Sequence, residues 1–587
     1  MHQTGKKQKP ALLIALVIFV VSVLIMNGFY TDWGKATVRR DYLLSENGHQ
    51  YSYVSMVQKT STDENPGPAV VMFHGNNESA QAFSSWGVEL VRRGYNVFML
   101  DVGGSGMSEP GFNDPTKTVL EFVEHIKTLP FVDSSRILAT GHSRGGSWTG
   151  VVVTRSNIAG GVAVAAMRDQ KQFGETYTGN LVTIIGEGDW MNRMYEPEGM
   201  NQKFFQKVYG TDGSLPEFEK EYGSVAENNY RVFVPYSGLN AQHCAGRWSP
   251  KVIGMVCDYL ERMVPTDTTI APRDTTAVIL QYWVSLVAMI SLIAVVINLI
   301  LFVCKHPFFQ EASQPIPPCI GRTGKRWIRS ALLSMLPVVP WFIFINWLSA
   351  GPLKMTTSTA LFPVSTTNRF ILFYLGLGIY EIALFYFSFF RPGKLKMKEC
   401  GLLYQDRAAK GQWIGIGKSA LAAAIGCGFG LTILFVLDAD FGISFQAWYM
   451  QLRGVSWARV SRSLLYLPIF LVLFIGMNLG GNISRRLPST GHPTRDMIRD
   501  IVVNCLVGQL LLTIYFIINM RLNDMSVFWD VVDSVGHTYY MYNFILLGNA
   551  AAAGNTVLYR KTGSIWPGVF FCVIFLGIVI PGANPIG

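Results

Sequence analysis

Ser143 lies in Gly141-His142-Ser143-Arg144-Gly145, a G-x-S-x-G spacing that forces a serine onto a tight turn with its hydroxyl exposed. The stretch before it, Arg136–Thr140, reads as a strand, and the small-residue run Gly146–Val153 continues as a helix. Glycine fits on either side because strand and helix backbones come too close there for side chains. A serine hydroxyl is a poor nucleophile until an imidazole takes its proton and a carboxylate orients that imidazole. Between Ser143 and Val264 the sole histidine is His243, in the loop 236–246 ahead of an amphipathic run, Lys251–Met263. Carboxylates stand in Gly186-Glu187-Gly188-Asp189, directly after the apolar run Leu181–Ile185, and at Asp169 after the preceding apolar run. A serine activated in this way forms an acyl-enzyme, so the bond attacked is an ester, thioester or amide.

The surrounding elements resemble the α/β-hydrolase superfamily, in matching order. Ala69–Phe73 reads as a buried strand ending in His74-Gly75-Asn76-Asn77, similar to the family's HG-x-x loop. Asn96–Leu100 is the next strand and runs into Asp101-Val102-Gly103-Gly104-Ser105-Gly106-Met107-Ser108. That loop looks like the family's D-x-R-G-x-G-x-S, with Gly103 where the arginine often sits. Gly161–Ala166, Leu181–Ile185 and Arg231–Val234 supply further strands. The resemblance covers roughly residues 35–264. It implies an α/β fold, a mostly parallel sheet flanked by helices, and a triad in the order nucleophile, acid, histidine. Carried onto this chain, the triad is Ser143, Asp189 and His243, with Asp169 as the alternative acid. The backbone N–H groups of Asn76 and Arg144 would form the oxyanion hole. His74 either meets substrate or braces its loop. Trp190, Met191 and Met194 open a long excursion, 190–229, that is expected to form a partial lid and line an acyl pocket. Serine rather than aspartate at the elbow disfavours chemistry of the haloalkane dehalogenase or epoxide hydrolase type.

Composition describes the rest. Half the residues are hydrophobic, and long apolar runs dominate the second half. Runs of about 20 residues span a hydrocarbon core of about 30 Å. One such run, Ala11–Phe29, precedes the hydrolase-like segment. After it come Ala277–Cys304, Ala331–Leu348, Phe370–Phe390, Ala420–Leu437, Leu464–Leu479, Ile501–Met520, Tyr540–Leu558 and Ile565–Ile580. About nine spans are therefore expected. The expected organisation is an anchor over 1–34, an extracytoplasmic hydrolase domain over 35–264, a linker over 265–276 and an all-α multi-span domain over 277–587. No convincing small-x-small cleavage site follows the first run, which favours an uncleaved anchor over a signal peptide.

Lysine and arginine placement sets the orientation. Lys6, Lys7 and Lys9 precede the first run and put the N-terminus in the cytoplasm. Lys305, Arg322, Lys325, Arg326, Arg391, Lys394, Arg407, Lys410, Arg485, Arg486, Arg560 and Lys561 fall in loops on that same side. Opposite loops are poorer in positive charge. These loops account for the net charge of +10, and no basic groove suits nucleic acid. Eight cysteines are scattered without C-x-x-C or His/Cys spacing for zinc, and no cofactor or metal is called for. Cys244 and Cys257, in the external segment, are compatible with a disulfide or with two separate thiols. Glu381 stands inside an apolar run, where a carboxylate must be paired or face a cavity. Asn478, Asn504, Gln509, Asn543 and Asn549 add polar points that either bind helices together or line a path.

The function expected is a multi-pass cell-membrane serine hydrolase acting on a lipid or other membrane-proximal acyl ester. The rivals are a serine peptidase of α/β-hydrolase type and a transporter or scaffold whose hydrolase-like domain only binds.

Overall fold

A computed structural model describes residues 8–584, other than 47, 110–113, 175–176, 190, 239–240, 321–322, 351, 356, 394, 449 and 522–541. Nine strands form one sheet: β1 (Ala36–Leu44), β2 (Gln50–Gln58), β3 (Gly67–Phe73), β4 (Asn96–Leu100), β5 (Val132–His142), β6 (Gly160–Val164), β7 (Leu181–Gly186), β8 (Glu221–Tyr222) and β9 (Arg231–Tyr236). Their spatial order is β1-β2-β4-β3-β5-β6-β7-β9-β8. From β4 to β9 the pairing is parallel, with β1, β2 and β8 antiparallel at the margins. Helix α1 (Gln8–Tyr30) precedes the sheet. Helices α2 (Ser84–Arg92), α3 (Pro115–Lys127), α4 (Arg144–Arg155), α5 (Met200–Tyr209) and α6 (Pro250–Met263) cover it, and α7 (Thr276–Val303) follows.

Strand residues alternate between the two faces, as a period of two requires. Val70, Met72, Leu138, Val162, Ile184 and Val234 enter a cluster with Trp86 of α2 and Val252 of α6. Ala69, Val71, Ile137, Ala163, Ile185 and Phe233 enter a second cluster with Phe122 of α3, Val152 of α4 and Phe205 of α5. Central strands buried on both faces are uninterrupted apolar runs, which is why their sequences stand out. The excursion expected to lid Ser143 instead lays α5 on the sheet, with Phe205 edge-on to Phe233 at 5.5 Å.

The first cluster does not stop at α2 and α6. It runs on through Met26 and Tyr30 of α1 and Val278 and Tyr282 of α7 into the C-terminal helices. Polar contacts bolt the same junction. Tyr30 donates to the Ser444 carbonyl (3.0 Å), and Tyr282 reaches the Trp248 carbonyl (3.1 Å). Arg40, buried on β1, bridges Asp101 (2.7 Å) and Asp438 of the helix Ala409–Phe441. A buried guanidinium persists only when paired in this way.

Among the described residues, seven helices are long and apolar enough to cross a membrane: Pro10–Tyr30, Thr276–Val303, Gly324–Ser349, Ser365–Phe390, Ala409–Phe441, Trp457–Ser484 and Pro493–Tyr515. They coincide with the first seven expected spans. The remaining two runs are a helix, Tyr542–Thr562, rich in polar residues, and a shorter apolar helix, Trp566–Gly582. Cys244 and Cys257 are separate thiols, the latter buried on α6.

Candidate active site

Strand β5 delivers the chain to Ser143, whose backbone has φ 59° and ψ −120°. For a non-glycine residue that conformation is strained, and such strain persists where the surroundings fix it. Here they do. A Cβ on Gly145 would collide with the Phe73 carbonyl oxygen, and one on Gly141 would lie 2.6 Å from the Gly145 backbone. On Gly146 it would come within 2.7 Å of Ala166 Cβ. Strand β3, strand β5 and helix α4 therefore meet at a point that only glycines allow. The Ser143 hydroxyl is left at the head of α4, where the helix dipole favours negative charge.

His243, in the loop after β9, brings Nε2 to 2.8 Å from Ser143 Oγ. Its Nδ1 lies 2.9 and 3.0 Å from the two oxygens of Asp189, which follows β7. Because Asp189 can only accept, Nδ1 carries the hydrogen and Nε2 is the lone-pair nitrogen that faces the serine. Asp189 also accepts from the backbone of Met191 and Asn192 (3.0 Å each) and from the Asn192 side chain (2.6 Å). Burial pushes the Asp189 carboxyl up. The His243 ring and the Asn192 bonds outweigh that and hold it below the usual carboxylate range. A serine, an imidazole and an ionised carboxylate in this line are able to pass the serine proton to the ring as a carbonyl is attacked.

Asp169 sits elsewhere, ion-paired with Lys207 at 3.0 Å, and Glu187 is exposed and takes the Tyr195 hydroxyl at 3.2 Å. Arg144 opens α4, and its guanidinium donates to Asn76 Oδ1 at 3.3 Å, linking the two residues expected to supply oxyanion amides. His74 is buried with both ring nitrogens engaged. Nε2 accepts from the Val102 amide (3.1 Å), and Nδ1 donates to the Gly75 carbonyl (2.8 Å). Its ring therefore braces the loops after β3 and β4 and offers substrate nothing. Trp190 lies outside the described residues. Met191 is half-buried, and Met194 is a core residue, 1% exposed in the cluster under α4 and α5.

Three residues of the site escaped the sequence. His142, the second residue of the elbow, is buried and donates Nε2–H to the His243 carbonyl, with the two rings 5.3 Å apart. Burial, and then the neighbouring His243, lower its pKa to about 4, so it stays neutral. Glu78 accepts from the Gly75 amide (2.9 Å) and pairs with Arg247, tying the loop after β3 to the segment before α6. Burial pushes the Glu78 carboxyl up, but Arg247 and its other partners bring it below the ordinary value. Asn192 follows the acid by three residues, and that short spacing was its only sequence signal.

The family described as serine aminopeptidase, S33, an α/β-hydrolase family, matches residues 64–186. That match and the mostly parallel sheet define the class: residues 36–263 have the α/β-hydrolase fold. Among solved structures, the chain is similar to an esterase from Pyrococcus furiosus, at 16% identity over 39% of this chain and 93% of that one, TM-score 0.28. It is also similar to Est1E from Butyrivibrio proteoclasticus, solved with ferulic acid, at 14% identity over 38% and 96%, TM-score 0.27. Against the α/β hydrolase GrgF from a Penicillium species it spans 47% of that chain, at 20% identity over 22% of its own length and TM-score 0.20. A comparison with curated proteins gives no match.

Proposed function

We propose that this chain is a membrane-embedded serine hydrolase that cleaves or transfers an acyl group, through an acyl-enzyme, from a lipid or other membrane-proximal ester. Ser143 is the nucleophile, His243 the general base and then acid, and Asp189 the group that orients His243. In the first half-reaction, Ser143 Oγ bonds to the carbonyl carbon while its proton passes to His243 Nε2. The proton then leaves with the alcohol. In the second half-reaction, water or an acceptor alcohol bonds to the acyl carbon as its proton passes to His243, and the acyl group leaves as the bond to Ser143 Oγ breaks and that oxygen takes the proton back. The amides of Asn76 and Arg144 receive the oxyanion at the end of β3 and the head of α4. The observation that carries this reading is the continuous hydrogen-bonded line from Ser143 Oγ through His243 to Asp189.

The experiment is fluorophosphonate labelling of the purified full chain. Wild type should label and Ser143→Ala should not, with p-nitrophenyl ester turnover lower by about a millionfold. Undiminished labelling of the variant removes Ser143 from its role.

The family match favours a second reading, an aminopeptidase. Recognition of a free α-amine needs a carboxylate at the site. Asp189 belongs to the triad and Glu78 is paired with Arg247, so neither is open to an amine, which supports the ester. Aminoacyl-p-nitroanilides tested against p-nitrophenyl esters separate the two.

A further inference from the structure

The amide that Asn76 would offer to an oxyanion belongs to the peptide unit it shares with the Gly75 carbonyl, and such a unit is planar. His74 Nδ1 donates to this carbonyl at 2.8 Å, so the ring sets the direction of the Asn76 N–H. His74 Nε2 accepts from the Val102 amide at 3.1 Å, which settles the tautomer. Burial lowers the pKa of the ring and keeps it neutral, as that acceptor role requires. The direction of the Asn76 amide therefore depends on the loop that begins at Asp101.

Asp101 is the hub of that loop. Its Oδ2 accepts from Arg40 Nη1 and Ser52 Oγ, both at 2.7 Å, and from the Met107 amide at 3.1 Å. Its Oδ1 accepts from the Ala80 amide at 2.7 Å, at the far end of the loop that carries Asn76. The turn at Gly106, with φ 51°, closes so tightly on the carboxylate that a Cβ there would collide with it. Burial pushes the Asp101 carboxyl up, but Arg40 and then the Ala80 and Ser52 bonds hold it below its ordinary range.

One further fixing point comes from outside the hydrolase fold. Gln81, next to Ala80, donates through Nε2 to Asp438 Oδ1 at 2.5 Å. The same oxygen pairs with Arg40, whose Nε also donates to the Asp438 carbonyl at 3.1 Å. Asp438 stands near the end of the helix Ala409–Phe441, 357 positions from Gln81. Arg40, Gln81, Asp101 and Asp438 are all more than nine-tenths buried, so water does not compete for these bonds. Both ends of the loop 75–79 are thus tied to one ionic cluster, and one member of that cluster belongs to an apolar helix.

We propose, resting on the serine hydrolase reading, that Arg40, Gln81 and Asp438 are positioning residues for the oxyanion site. Through them the helix Ala409–Phe441 holds the Asn76 amide in the direction the oxyanion needs. Deleting one oxyanion donor outright costs about a hundred- to a thousandfold in kcat, and turning one aside costs part of that.

The test uses the full chain in detergent micelles with p-nitrophenyl butyrate. Turnover is counted per serine titrated by fluorophosphonate, so that unfolded molecules drop out. Gln81→Met removes the bond to Asp438 without adding charge and should lower kcat about tenfold, with KM within about twofold. A trifluoromethyl ketone, whose adduct with Ser143 places an oxyanion at the Asn76 amide, should lose affinity by the same factor as kcat/KM. Should Gln81→Met fail to fold, Gln81→Asn, polar but too short to reach Asp438, is read in the same way. An unchanged kcat per titrated serine overturns the proposal, and so does a loss confined to KM while the ketone binds as before. A silent Gln81→Met in an active enzyme defeats this proposal alone, whereas a wild type that neither titrates nor turns over defeats the hydrolase reading and this one with it.

Discussion

Asp189 keeps its charge in the interior because three hydrogen bonds and the adjoining ring replace the water it has lost. Its task is to hold one tautomer and one orientation of His243. Asp189→Asn should therefore leave labelling detectable while lowering turnover about ten-thousandfold, and His243→Ala should cost about a millionfold, like loss of the serine. Asp169→Asn, which only frees Lys207, should stay near wild type in ester kinetics. Full activity in Asp189→Asn together with loss in Asp169→Asn would transfer the acid to the other strand end. His142 gives a prediction about stability. Its pKa falls from the usual 6.5 to about 4 on folding, so between those values the unfolded chain binds the extra proton and the native chain does not. Stability from this residue is complete above pH 6.5 and drains away as pH falls toward 4, by about 3 kcal/mol in all. Thermal unfolding in detergent across pH 4–7 should show this slope in wild type and a flatter one in His142→Asn. Parallel curves would mean that His142 does not carry it.

The elbow is a property of three elements held too close for side chains, and one substitution tests that. In Gly145→Ala the new methyl meets the Phe73 carbonyl, so β3 and α4 must part. A loss of about 2 kcal/mol is expected, with ester turnover collapsing because Ser143 moves with α4. Ser147→Ala, one half-turn along the same helix, should be close to silent in both melting and kinetics. If Gly145→Ala is equally silent, the contact is not as tight as it stands. This element was legible in the sequence because its constraints are local: a buried strand, glycines at fixed offsets, then a helix. Strands β1 and β2 were not, since Arg39, Arg40 and Asp41 interrupt the apolar alternation of β1. The partners that make Arg40 a buried residue lie 61 and 398 positions away, and no local pattern announces them. Glu78 was missed for a related reason, as its ion-pair partner Arg247 lies 169 positions away, and Asn192 because its amide also reaches the Ala165 carbonyl, 27 positions back, at the end of another strand. In the C-terminal half, uniform apolar runs read directly as helices. Tyr542–Thr562 reads less well because Asn555 and Thr556 interrupt its apolar run and face neighbouring helices.

On the scale of the whole molecule, the hydrolase fold is bolted to the ends of several apolar helices, which ties the orientation of one to the other. Tyr30 ends α1 beside β1, and Thr276 starts α7 just beyond α6. Asp438, near the end of the helix Ala409–Phe441, meets Arg40, and Arg459, near the start of Trp457–Ser484, donates to the Gly104 carbonyl. At the far ends of these same helices stand Lys9, Lys305, Lys410 and Arg485. Four helices thus point their basic ends one way and the hydrolase fold the other. Positive charge is retained on the cytoplasmic side. We therefore propose that Ser143 stands outside the cytoplasm, against the bilayer, with lipid headgroups or envelope esters as its substrate pool. The proposal is checked in a variant whose eight native cysteines are replaced by serine. Asp63→Cys, exposed between β2 and β3, should react with a membrane-impermeant maleimide on intact cells. Thr323→Cys, exposed just before the helix Gly324–Ser349, should react only after the cells are opened. The reverse pattern would turn the molecule over, and the substrate would then have to be sought among cytoplasmic esters.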